Sequence, residues 1–251
     1  MAPLGESGES AVRLAGSVWP SVPVGGLVLV PVGATEQHGP HLPLSTDTVI
    51  ARAVAERTAA ALAPETAGPV LVAPAVEYGA SGEHGGFPGT ISIGHEALHV
   101  VLVEMVRSLT PWAWRVVFVN GHGGNVRALG SAVGQLRGEG HDVGWLSCEA
   151  PGGDAHAGFT ETSVMLHLAP ELVRTAAAVP GDTRPLAALM PELIARGVRG
   201  VSPSGVLGDP TGATAERGRE LVEAMVADVV RRITENRADT RGRLLQPAGH
   251  R

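Results

Sequence analysis

Leu27-Val-Leu-Val-Pro-Val32 runs straight into Gly33-Ala-Thr-Glu36-Gln-His38-Gly-Pro-His41-Leu-Pro-Leu-Ser-Thr-Asp47. The first six residues are apolar without interruption, the pattern of a strand covered on both faces. The fifteen that follow carry two carboxylates and two imidazoles, the side chains that ligate Zn²⁺, Fe²⁺ and Mn²⁺. Two glycines and two prolines keep this segment out of regular structure. Its polar side chains can therefore converge on one point instead of lining a helix face. Asp47 then opens a helix with Ile50, Val54, Ala61 and Leu62 on its apolar face. A capping aspartate can still ligate through its second oxygen.

Working outward, the same strand–loop–helix order recurs. Strands are expected at 70–76, 116–119 and 143–146, with a further one at 90–93. Leu98, Val101, Leu102, Met105, Val106 and Leu109 form a helical stripe ended by Pro111. Helices are also expected from Val126 to Leu136, over 160–168 and over 215–236. Alternation of this kind predicts an α/β fold, a parallel sheet with helices on both faces. Ligands of such sheets sit beyond the carboxyl ends of the strands. Two further clusters fall there, Asn120-Gly-His122-Gly-Gly-Asn125 and Asp154-Ala-His156-Ala-Gly-Phe-Thr-Glu161. Three clusters, each after a strand, describe one metal site. The organisation expected is a loosely ordered segment over 1–22, one catalytic domain over 23–237 and a flexible tail over 238–251.

Composition narrows the chemistry. Net charge is −6 and no basic stripe is present, which argues against nucleic acid as a partner. All 19 basic residues are Arg, so a Walker-A loop, a pyridoxal Schiff base and a lysine general base are excluded. Cys148 is the single cysteine, which points to a reducing compartment and no disulfide framework. No signal-like leader and no apolar run of about 18 residues occurs, so a cytoplasmic protein off the membrane is expected. Neither GxSxG nor HExxH is found, against a serine hydrolase or a zincin.

Each residue also has an ordinary reading. Glu36 and His38 could be loop residues, and Glu161 could complement a helix dipole. His122 lies in a Gly-rich strand-to-helix turn that could be an anion nest. His156 is followed by small residues that leave room for a substrate, which suits proton transfer. Glu83 and His84, in Gly79-Ala-Ser-Gly-Glu-His-Gly-Gly, could reach a bound substrate or simply face solvent. Cys148 reads as a packing residue. Singly these signals are weak. Jointly, ligand-type residues at the ends of three strands exceed what capping and solvation explain.

Glu36-Gln-His38-Gly-Pro-His-Leu-Pro-Leu-x-Thr-Asp47, Phe87-Pro-Gly-Thr-Ile-Ser-Ile, Asn120-Gly-His122-Gly-Gly-Asn125 and His156-Ala-Gly-x-x-Glu161-Thr-Ser together resemble the creatininase family of metal-dependent amidohydrolases. The resemblance spans roughly residues 24–236. It implies a three-layer α/β/α sandwich with a mostly parallel sheet, assembled as a homo-oligomer, often a hexamer. It also implies two divalent metal ions, zinc and/or iron(II) with manganese as a further option. Glu36, Asp47 and His122 would hold one ion and His38, Asp47 and Glu161 the other, with His156 at the acid/base position. Tyr78-Gly-Ala-Ser-Gly-Glu-His84, Pro151-Gly-Gly-Asp-x-His156 and Val201-Ser-x-x-Gly-Val-Leu-Gly-Asp-Pro210 are most similar to members that act as peptidases. Those members release a modified, Val-Tyr-derived C-terminal dipeptide from a ribosomal precursor peptide during redox cofactor biosynthesis. Creatininase itself has a glutamate where this chain has Gly124, and tryptophans around its substrate where residues 149–160 have none. The resemblance therefore implies a pocket more open than one for creatinine. The alternatives are hydrolysis of a small cyclic amide or formamide, and a metal-stabilised binding protein without hydrolysis.

Overall fold

The computed structural model describes residues 12–150 and 152–246. Its core is a five-stranded, fully parallel sheet in the order β1-β3-β2-β4-β5, formed by β1 (Val12–Arg13), β2 (Gly26–Val32), β3 (Val70–Val72), β4 (Ala113–Asn120) and β5 (Val143–Ser147). Every residue of β2 is buried, as the unbroken apolar run requires of a strand with helices on both sides. Alternation splits the strands between two cores. Leu27, Leu29, Val117 and Val119 face α1 (Thr46–Leu62), α4 (Phe159–Leu168) and α6 (Ala215–Glu235). Val28, Val30, Val116 and Phe118 face α2 (Gly94–Leu109) and α3 (Val126–Gly138). The result is the expected three-layer α/β/α sandwich. No described helix is long and apolar enough to cross a membrane.

Several elements differ from expectation for local reasons. The strand at 70–76 keeps regular pairing only to Val72, because Pro74 has no N–H to donate. Pairing resumes at Val76, whose N–H donates to Pro31 O at 2.9 Å. Residues 90–93 make one bridge, Thr35 to Ile91, before Gly94 starts α2. A helix not expected, α5 (Leu186–Val201), contains Pro191 and breaks its helical geometry at Gly197 (φ 66°). The segment expected as loose is outside the described residues up to residue 11; Val12–Arg13 beyond it pairs with β3 as an edge strand. The tail lies outside the described residues from 247 onward. Before that it folds back along β5: Trp145 donates to Gly242 O at 3.0 Å, Leu244 donates to Trp145 O at 2.8 Å, and Leu244 is fully buried. A parallel sheet ending at β5 leaves an unpaired edge, and this segment covers part of it.

Candidate metal centre

Four loops leaving the C-terminal ends of β2, β3, β4 and β5 meet at one buried point. Glu36 and His38 come from the loop after β2, Glu83 and His84 from the turn Gly82–His84 after β3, and His122 follows β4. His156 and Glu161 come from the connection between β5 and the first turn of α4. Close backbone approach makes the convergence possible. A Cβ on Gly33 would lie 2.5 Å from Thr48 Cα, and one on Gly121 2.4 Å from Asp47 O.

Asp47, expected as a ligand with a helix cap as its ordinary reading, lies one residue inside α1, after Thr46, so it is not the cap, and its carboxylate turns to the centre. Asp47 Oδ1 is 3.1 Å from His38 Nε2, and Oδ2 is 3.5 Å from His122 Nδ1. Glu36 is wholly buried, with Oε2 3.2 Å from His122 Nε2 and Oε1 3.3 Å from His84 Nε2. Glu161 Oε2 is 3.7 Å from His38 Nε2 and accepts a hydrogen bond from Ala157 N at 2.6 Å. Ala157 reaches that geometry in the left-handed region, φ 52°, a conformation that costs a non-glycine residue about 1 kcal/mol or more.

The contacts of Glu36 are ion-pair separations without hydrogen-bond alignment. Both its carboxylate oxygens, and Asp47 Oδ2, are buried with no hydrogen-bond partner. Buried carboxylate oxygens left in this state are costly, by several kcal/mol per ion as an order of magnitude. A divalent cation removes that cost, and a carboxylate–imidazole set suits zinc, iron(II) and manganese. The residues therefore fit a cation. Among the described residues three groups have ligand atoms within 4.8 Å of one another: Glu36, Asp47 and His122; His38, His156 and Glu161; and Glu36, His84 and His156. The first is the set expected for one ion. The second joins His38 and Glu161 as expected but brings His156 rather than Asp47 into the group.

Protonation follows the same geometry. Burial pushes His38 and His122 down, but Asp47 and Glu161 beside the former, and Glu36 and Asp47 beside the latter, raise them to about 10 and about 9. Burial raises Glu36, yet the imidazoles of His122, His84 and His38 hold it below the usual carboxylate range. Asp47 is raised to about 6, by burial and by Glu36 against the pull of His38. Burial lowers His84 to about 3, with His156 adding to the effect, and lowers His156 to about 4, with His38 adding to it. The carboxylates thus favour the charged form of both His38 and His122. Burial pushes the Cys148 thiol up to about 12, in keeping with a packing residue.

The supporting contacts set which imidazole nitrogen faces inward. His38 Nδ1 lies 3.1 Å from Glu36 O, leaving Nε2 for the centre. His156 Nε2 donates to Gln37 O at 2.9 Å, which turns Nδ1 toward Glu36 Oε1 at 3.9 Å. The Gln37 amide donates to His84 Nδ1 at 2.8 Å and to Gly205 O at 3.0 Å. That assignment leaves His84 Nε2–H pointing at Glu36. Gln37 stands inside the Glu36-Gln-His38 motif, but nothing in its spacing marks it as the residue that orients two histidines. Asp154, part of the third cluster, accepts from the N–H groups of Phe159 and Thr160 and so caps α4. Gly124 has a clear role: a Cβ there would lie 2.4 Å from His122 Nε2 and 2.6 Å from Glu83 Oε1. Glu83 fills that space, 3.5 Å from His122 Nε2.

Two cavities flank the centre. One, about 310 Å³, is lined by Ser147, Cys148, Asp154 and Glu161. The other, about 350 Å³, is lined by Glu83, His84, His156 and the apolar side chains of α5. A roomier cavity of about 610 Å³ lies around Gly25, Leu62 and Asn236 at the opposite end of the sheet and touches none of these ligands.

Comparison with known proteins agrees with this architecture. A family model described as creatinine amidohydrolase, Creatininase, matches residues 21–233. A mycofactocin precursor peptide peptidase of Mycobacterium ulcerans (strain Agy99) is 57% identical over 234 residues, covering 92% of this chain and 91% of that protein. Among solved structures, a creatininase variant of Zn–Zn type and a creatininase with Mn each superpose with a TM-score of 0.69. Each is 28% identical, covering 90% of this chain and 98% of that one. In fold, motif order and extent of match, the chain belongs to the creatininase family.

Proposed function

We propose that this protein is a metal-dependent peptidase that releases the modified, Val-Tyr-derived C-terminal dipeptide from the mycofactocin precursor peptide. The substrate rests on the 57% identity to a peptidase of that name across 92% of the chain. The observation that carries the chemistry is the buried pair Glu36 and Asp47, whose free oxygens face the imidazoles of His84 and His122. Glu36, Asp47 and His122 would hold one divalent cation, and His38, Asp47 and Glu161 a second. Zinc, iron(II) and manganese all suit these donors. Bound there, such cations supply Lewis acidity toward an amide carbonyl and make a neighbouring water acidic enough to act near neutral pH.

His156 is the proton carrier in this reading, working at Nδ1 while Nε2 stays anchored to Gln37 O. With a pKa near 4 it is neutral at pH 7, so it can accept a proton and pass it to the departing nitrogen. Glu83 and His84 face the substrate from the turn after β3. Cavities on two sides of the centre suit a peptide lying across it better than a small cyclic amide. A homo-oligomer, a hexamer by family resemblance, belongs to the same reading and is tested by the mass in solution.

Mass spectrometry of modified and unmodified precursor after incubation with metal-loaded protein tests the proposal. Cleavage of the modified form, with the unmodified form largely uncut, is expected. Cleavage of neither, alongside rapid hydrolysis of a small cyclic amide, would overturn it.

A further inference from the structure

Helix α5 presents Leu186, Met190 and Ile194 at intervals of four, one stripe, with the buried Val198 just past the break at Gly197. Leu186, Met190 and Ile194 are 47%, 42% and 80% exposed. Together with Leu193 and Leu207 the stripe walls the cavity of about 350 Å³, whose other wall includes Glu83, His84, His122 and His156. An apolar stripe left open beside a buried polar centre gains nothing for the fold, and such patches mark binding surfaces. The stripe is also joined to the centre. Gly197 breaks the helix where a Cβ would lie 3.0 Å from Glu83 O, so the end of α5 packs on the turn that carries Glu83 and His84.

The two cavities differ in a way that gives the substrate a direction. His122 and Gly123 line both. His156 lines only the apolar cavity, and Glu161 only the polar one. In amide hydrolysis, water oxygen bonds to the acyl carbon, the C–N bond breaks, and the nitrogen leaves with a proton. With His156 as carrier, that nitrogen must lie on the His156 side. The freed amine becomes an ammonium at neutral pH. Both cavities offer carboxylates and neither an arginine, Glu83 in the apolar one and Glu149, Asp154 and Glu161 in the polar one, so the position of His156 and not charge sets the direction.

We propose that the cavity against α5 is the leaving-group subsite, selective for an amine-side fragment with a bulky apolar body. The acyl side of the substrate then runs into the cavity lined by Ser147, Asp154 and Glu161. This rests on the role given to His156 in the proposed function. It adds α5 as the element that sets specificity.

Two methionines report on the two cavities, Met190 on the apolar one and Met225 on the polar one. The test is NMR of the full, zinc-loaded chain labelled at the methionine methyl groups, with Met190→Leu assigning the Met190 signal. Phenethylamine is expected to shift Met190 saturably and leave Met225 in place, whereas phenylacetate should not reproduce that shift. Ile194→Asn, a neutral change at an exposed position that folding does not need, should weaken phenethylamine roughly tenfold or more, with metal content unchanged. A shift at Met225 instead of Met190, or an Ile194→Asn variant with undiminished affinity, would overturn the proposal. So would an Ile194→Asn variant that changes mass in solution but not amine affinity, because the stripe would then belong to a second copy of the chain. The readout needs no turnover, so failure to cleave the precursor peptide counts against the proposed function without touching this subsite.

Discussion

Loading the metal-free protein with Zn²⁺ at pH 8 should release about two protons per chain from its histidines, beside up to about one more from the water that bound zinc makes acidic. His38 and His122, raised to about 10 and about 9, are both protonated at that pH. Neither can ligate until it gives up its proton. Asp47, near 6, is already ionised at pH 8, and Glu36 lies lower still, so the carboxylates add nothing. His84 and His156, near 3 and near 4, hold no proton to lose. Two imidazoles at their ordinary value of roughly 6.5 would together release only about 0.06 proton, so the histidine contribution differs some thirtyfold. Calorimetric titration in buffers of different ionisation enthalpy measures the number directly. His38→Gln should lower it by about one. A release of about one or less, no more than the water alone supplies, would show that His38 and His122 are not held as imidazolium ions.

Two further predictions follow from the same residues. The metal-free protein should be most stable near pH 6.5. The raised His38 and His122 contribute fully below the unfolded value near 6.5, a contribution lost as pH rises through about 9 to 10. The lowered His84 and His156 are lost as stabilising groups as pH falls below 6.5, when the unfolded chain takes up protons that the folded one refuses. Thermal melts with a chelator present check this, and a Tm climbing steadily from pH 6 to 9 contradicts it. His156→Ala should keep its metal and lose roughly 10²–10⁴ in turnover; a metal-free variant would make His156 a ligand, as its grouping with His38 and Glu161 allows.

The sandwich was legible because strands buried on both faces and amphipathic helices leave periodic patterns, as at Leu27–Val32 and over Leu98–Leu109. The five ligand-type residues were legible from their placement after strands. Helix α5 was hidden by Pro185, Pro191, Gly197 and Gly200, residues that ordinarily end helices, although its apolar spacing of four was present throughout. The fold-back of Leu244 onto Trp145 depends on an exposed sheet edge, which is a property of strand order and not of local sequence. Gln37 and Asp154 were ambiguous for a different reason. A side chain that orients histidines or caps a helix is chosen by its neighbours in space, and no pattern along the chain distinguishes it from a ligand.

In the proposed centre the carboxylate of Asp47, set between His38 and His122, serves both cations. Elemental analysis of purified Asp47→Ala against the unaltered protein reads this out. The unaltered protein is expected to retain about two divalent ions per chain, and Asp47→Ala to lose both together. Full metal occupancy in Asp47→Ala would contradict the account.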